Sequence, residues 1–99
     1  PMTITKSREG AALTLRLEGR LDTTTAPELE QELNALLDDV SSLTLDLAQL
    51  AYLSSAGLRV VLAAQKRMNR QGEMTVENVC PAIMEVFEIT GFADILNIR

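Results

Sequence analysis

The 99-residue chain contains no histidine, no tryptophan and a single cysteine, Cys80. Each shortage removes a class of chemistry. Without an imidazole, a serine nucleophile lacks its usual general base. A zinc site would have to be assembled from one thiol and carboxylates, an improbable donor set. One cysteine forms no disulfide within the chain, which fits a reducing cytoplasm as the expected location. Aromatics are 3% of the residues, and Tyr52, Phe87 and Phe92 are too scattered to stack nucleic-acid bases. Nine basic residues face fourteen acidic ones, a formal charge of −5. Such a surface repels phosphate backbones and anionic lipid headgroups, so the expected partner is another protein. No apolar run approaches the roughly 20 residues that span a bilayer. Pro1-Met2-Thr3 opens no basic-then-apolar leader, so neither membrane insertion nor a signal peptide is expected. There is no Gly-x-x-x-x-Gly-Lys run to cradle a nucleotide, and no cofactor is expected.

What is present is an aliphatic core in the making. Hydrophobic residues are 46% of the chain, and its length suits a single domain over residues 1–99. Met2-Thr3-Ile4-Thr5 alternates as a short strand, and Arg8-Glu9-Gly10 has turn chemistry. Leu13, Leu15 and Leu17 then alternate with polar residues, which predicts a second strand hairpinned to the first and ended by Gly19. Thr25-Ala26-Pro27-Glu28 predicts a helix start, with Thr25 as cap and Glu28 closing a capping box. Leu29, Leu33, Leu36, Leu37 and Val40 continue it at helical spacing. Ser41-Ser42 breaks this helix, and Leu43-Thr44-Leu45-Asp46-Leu47 predicts a third strand.

Ser54-Ser55-Ala56-Gly57 opens the second helix. From Leu58 to Ala64 it is apolar enough to predict burial on all sides. Lys66, Arg67 and Arg70 suit its negative end, and Gly72 caps it. Glu73–Glu77 predicts a strand and Pro81 opens a third helix, with Ile83, Val86, Phe87 and Thr90 on one face. Gly91 ends that helix, and Ile95–Ile98 reads as an edge strand. The alternation after the hairpin predicts an α/β fold with a mainly parallel core sheet and helices mostly on one face.

Few residues offer chemistry. Ser55 lies near the start of the second helix, where a hydroxyl can cap free N–H groups and where a phosphate would also be stabilised. Capping is the commoner use of such a serine. The run Leu53-Ser54-Ser55-Ala56-Gly57 is loosely like a nucleophile elbow, but its first glycine is missing and nothing positions Lys6 or Lys66 as a base. Asp22 and Asp46 could hold Mg²⁺, although turn and cap roles suit them better. Cys80 reads as a small buried residue, and Met68, Met74 and Met84 as core filling. No catalytic and no metal-binding residue is assigned.

Three segments together resemble one family. Leu17-Glu18-Gly19-Arg20-Leu21-Asp22 is similar to its Leu-x-Gly-x-Leu-Asp element. Leu45-Asp46-Leu47, followed by Tyr52-Leu53-Ser54-Ser55-Ala56-Gly57-Leu58, looks like its strand, loop and phosphorylation site. Phe87-Glu88-Ile89-Thr90-Gly91-Phe92 resembles the end of its third helix. The family is STAS, in the subgroup of free-standing anti-sigma-factor antagonists. The resemblance implies a STAS-like fold with a mixed central sheet and an N-terminal hairpin. It implies a non-enzymatic switch that binds an anti-sigma factor, itself a serine kinase of the histidine-kinase-like ATPase fold. Phosphorylation would end that binding and a PP2C-type phosphatase would restore it. Ser55 matches the phosphorylated serine, with Ser54 as second candidate, because Ser54 stands where the family commonly has Asp and Ala56 where it has a second Ser. The implied partner surface is Asp22, Thr23 and Thr24 with Ser54, Ser55, Ala56, Gly57, Leu58 and Arg59, on a monomer or weak dimer. The alternative is a STAS subunit of a lipid-transport assembly that docks on an ATPase without phosphorylation.

Overall fold

The computed structural model describes residues 1–99. Strands β1 (Met2–Glu9) and β2 (Ala12–Leu21) form the hairpin, in register from Met2 opposite Gly19 to Glu9 opposite Ala12. Gly10 makes its turn at φ +62°, a left-handed geometry that glycine adopts without steric cost. Strand β3 (Ser42–Leu53) pairs parallel with β2, and β4 (Glu73–Glu77) pairs parallel with β3. The result is a four-stranded mixed sheet in the order β1-β2-β3-β4. Helix α1 (Ala26–Leu36) links β2 to β3, and α2 (Ser55–Gln71) links β3 to β4. Helix α3 (Pro81–Thr90) follows β4.

Leucine alternation decides which sheet face is covered. Leu13, Leu15, Leu17, Leu43, Leu45 and Leu47 are buried with Met74 and Val76, while Thr14, Arg16, Thr44, Asp46 and Thr75 on the reverse face keep solvent contact. The helices add Leu29, Leu33, Val61, Met68, Ile83 and Phe87 to the same core cluster. Burying one such side chain contributes roughly 1.5–3 kcal/mol. The expected one-sided packing and mixed sheet are both observed.

Several local expectations change. β2 does not stop at Gly19 but runs on to Leu21. Gly19 sits in the strand at φ +105°, flanked by register shifts, and a Cβ there would run into the Pro1 carbonyl. It therefore serves a bulge and a close approach, not a strand end. β3 likewise extends six residues past Leu47. Thr25 takes helical backbone angles and makes no side-chain cap, so the capping box with Glu28 does not form. Helix α1 tightens into a 3₁₀ turn at Leu37–Asp39. Helix α2 is not buried all round, because Arg59 and Ala63 are exposed. Gly72 does cap α2, with extended backbone, because a Cβ would collide with the Ser41 carbonyl. Thr90 is exposed and turns its hydroxyl back to the Val86 carbonyl at 2.7 Å. The terminal segment contributes one parallel bridge, Ile98 to Val76, rather than a strand.

Candidate functional site

Because β2 and β3 are parallel, their carboxyl ends finish side by side, Leu21 opposite Leu53. The loops that follow therefore leave the same end of the sheet, where open α/β sheets form their sites. A direct bond joins them: Ser54 N–H donates to the Leu21 carbonyl at 2.9 Å. Helices α1 and α2 both begin here, so two sets of free N–H groups share this end.

Asp22 organises the first loop. Its Oδ1 accepts the Thr24 hydroxyl at 2.7 Å, the Thr24 N–H at 3.0 Å and the Thr25 N–H at 3.2 Å. These donors, the Thr24 hydroxyl foremost, hold its carboxyl down at about 2. Thr25 is buried and locks the loop from below. Its hydroxyl donates to the Arg20 carbonyl at 2.7 Å and accepts the Asp22 N–H at 2.8 Å. Thr23 and Thr24 stay exposed at the rim.

The two serines of the second loop have different jobs. Ser54 is the N-cap of α2, and its hydroxyl accepts the Gly57 N–H at 3.3 Å. Ser55 is the first residue of the helix and is exposed, and its hydroxyl has no hydrogen-bond partner. The capping role that sequence alone gave to Ser55 thus belongs to its neighbour. Gly57 and Leu58 are buried, so of this run only Ser55 and Arg59 are fully open to solvent. A Cβ at Gly57 would lie 2.7 Å from Leu21 Cγ and 2.8 Å from Leu53 Cδ1. Glycine there lets α2 begin directly against the two strand ends.

Two residues of the site were not singled out from sequence. The Arg20 guanidinium lies 4.1 Å from the centroid of the Tyr52 ring, and its Nε is 3.7 Å from Asp22 Oδ2. Arg20 and Tyr52 are register partners on β2 and β3, a pairing visible only once the strands are known to extend so far. Beside the loops, α1 and α2 enclose an open cleft of about 300 Å³ lined by Thr23, Ala26, Pro27, Glu30, Ala56, Arg59, Val60 and Ala63.

The other candidates are elsewhere. Asp46 lies on the reverse sheet face, bonded to Asn78 at 3.0 Å and paired with Arg16 at 3.1 Å; these donors, Asn78 first, lower its pKa. It is seven residues, roughly 20 Å of strand, from the loop end. Asp22 and Asp46 therefore share no ion, and no group of three or more metal-ligating side chains comes together. Cys80 is half-buried ahead of α3, with its Sγ 3.9 Å from the Leu50 carbonyl. Met68 and Met74 are buried and Met84 packs against the core. No helix is long and apolar enough to cross a membrane.

Known proteins share this architecture. The family model described as "Mlab, STAS domain" matches residues 4–97. BtrV of Bordetella bronchiseptica is 41% identical over 96 residues, covering 95% of this chain and 83% of its own. The anti-sigma-B factor antagonist of Listeria monocytogenes is 30% identical over 96 residues, covering 95% of this chain and 84% of its own. Among solved structures, the anti-sigma factor antagonist SpoIIAA superimposes with a TM-score of 0.84 in its unphosphorylated form and covers 98% of this chain and 88% of its own. In its phosphorylated form the TM-score is 0.77, with 91% of its chain covered. At 17% identity that likeness shows the fold alone. Both relatives align over nearly all of this chain and the family model spans all but its ends, so the chain belongs to the STAS domain family.

Proposed function

We propose that this protein is an anti-sigma-factor antagonist, a non-enzymatic binding switch controlled by phosphorylation of Ser55. The observation that carries the reading is the division of labour between adjacent serines. Ser54 is committed to capping α2, whereas Ser55 is exposed and unbonded beside the loop of Asp22. The names of the relatives support an anti-sigma factor as partner.

In the unmodified state, the exposed residues Thr23, Thr24, Ser55 and Arg59, with the half-buried Asp22, Ser54 and Ala56, form the partner surface. Gly57 and Leu58 shape it from within. The partner is an anti-sigma factor with serine-kinase activity that uses Mg-ATP, and its binding leaves the sigma factor free. In phosphorylation the Ser55 Oγ attacks the γ-phosphorus and the bond to the ADP oxygen breaks. ADP leaves, and the hydroxyl proton passes to a base of the kinase or to solvent. A PP2C-type phosphatase returns the serine by hydrolysis. A phosphoserine carries roughly −1.5 to −2 charges at neutral pH. Placed in a contact, that charge costs desolvation and repels acidic groups, and about 1.4 kcal/mol suffices for a tenfold loss of affinity.

The test is intact mass after incubation with such a kinase and Mg-ATP. Wild type should gain one phosphate and Ser55→Ala none. Ser54→Ala should still be labelled, although loss of its cap lowers stability by about 1 kcal/mol. Labelling of Ser55→Ala at the wild-type level would remove Ser55 from this role. Absence of any labelling in all three would favour a STAS subunit that docks on a transport ATPase without modification. Ser55→Asp should bind the kinase at least about tenfold more weakly.

A further inference from the structure

The start of α2 carries no acid and is followed at once by an unpaired cation. Helix N-termini favour acids and disfavour cations, because free N–H groups give that end a partial positive charge. The first turn of α2 holds no acid, and the second turn holds Arg59. Five ion pairs tie down Lys6, Arg8, Arg16, Arg20 and Arg67, and Arg59 is in none of them. Lys66 and Arg70 are also unpaired but lie in the second half of the helix, away from Ser55, with Arg70 in the last turn where the dipole favours a cation. Glu30 lines the same cleft from α1 without pairing to Arg59. Arg59 is therefore an exposed cation without a counter-charge.

Its spacing supplies the missing anion. Ser55 and Arg59 are four residues apart within one helix, so their side chains share a face. Helical side chains lean toward the helix N-terminus and cover the preceding turn. The guanidinium lines the cleft beside that turn, and at this spacing a rotation of its flexible stem brings it within reach of a group on Ser55. A guanidinium recognises a phosphate through two parallel charged hydrogen bonds.

We propose that Arg59 is the internal clamp of the Ser55 phosphate. Unmodified, it offers its charge to an acidic group of the partner from the rim of the cleft. Phosphorylated, Ser55 takes Arg59 for itself. The switch therefore withdraws a positive contact as well as adding a negative one. This rests on the reading of Ser55 as the modified residue.

The experiment uses the full chain with phosphoserine installed at position 55 during synthesis, so no kinase is needed. A ³¹P titration reads the second ionisation of the phosphate, ordinarily near 6. The other charges at this end of the sheet are Asp22 on the β2 loop and Glu30 on α1, whose sign raises that value, and Arg20, whose sign lowers it. All three, and the helix N-terminus itself, are common to every variant compared. In wild type the phosphate should titrate about half a pH unit lower than in Arg59→Gln. Arg59→Lys should recover part of the difference as a point charge without the bidentate fit. The Arg59 Nε–H resonance should move and exchange more slowly on phosphorylation. Equal titration in wild type and Arg59→Gln, with an unchanged Nε–H signal, would overturn the clamp. That result would leave phosphorylation of Ser55 by a kinase standing, and failed kinase labelling would leave the clamp measurement intact.

Discussion

Asp22 shows how one side chain can hold the site in shape. Its Oδ1 collects the Thr24 hydroxyl and two backbone N–H groups, and its carboxyl titrates at about 2 instead of 3.8. A carboxyl depressed on folding contributes stability that is fully present above its unfolded value and lost as pH falls through the folded one. The window here lies between about 4 and 2. Asp39, held low by Arg8, and Asp46, held low by Asn78, shift in the same direction. Asp22→Asn keeps the acceptor oxygen but removes the titration. Its thermal midpoint should fall less steeply than that of wild type as pH drops from 5 to 2. Parallel curves would show that the Asp22 charge is idle. At this scale the sequence was partly legible. Motif spacing marked Asp22 and Ser55, but which of two adjacent serines caps the helix depends on a one-residue difference in where α2 begins. Hydroxyl chemistry alone does not resolve that difference. Thr25 does stand at the N-cap of α1, but its hydroxyl makes no cap bond, and its real work, pinning the loop to the Arg20 carbonyl, needs a backbone path that residue types do not reveal.

The strands were read correctly where they alternate and cut short where they do not. In β3 the buried residues run Leu43, Leu45, Leu47 and then Leu50 and Leu53, a change from a spacing of two to three. Register shifts against β2 between Arg16 and Glu18, and between Gly19 and Arg20, cause that change. A bulge adds a residue and re-aims the side chains that follow, so the period of two disappears from the sequence. Those irregular halves carry Arg20 and Tyr52, which is why both were missed. Helix α2 depends on the same strand ends. Gly57→Ala gains about 1 kcal/mol of helix propensity, yet its methyl would press on Leu21 and Leu53. Overpacking of this kind costs about 1–3 kcal/mol. The net change should be a lower thermal midpoint by circular dichroism, with reduced affinity for the proposed kinase partner as the start of α2 shifts. A variant as stable as wild type would mean that α2 moves away freely.

Over the whole molecule, topology does what no local pattern could. The motifs at residues 17–22 and 45–58 are far apart in the chain, and parallel pairing of β2 with β3 brings their ends into direct hydrogen-bond contact. The third motif belongs to the core instead: Phe87 is fully buried and Gly91 ends α3 at φ +83°. Charge and composition were enough to point to a protein partner, but nothing in them could show that α1 and α2 leave a cleft beside Ser55.

The stacked pair of Arg20 and Tyr52 has an optical consequence. The chain has one tyrosine and no tryptophan, so its near-ultraviolet emission comes almost wholly from a ring two residues before the Ser54 cap. The protein carries its own label at the proposed switch. Denaturant unfolding followed by Tyr52 emission should coincide with the loss of helical circular dichroism, as one cooperative unit requires. An earlier emission change would reveal that the loop end opens while the sheet stays folded.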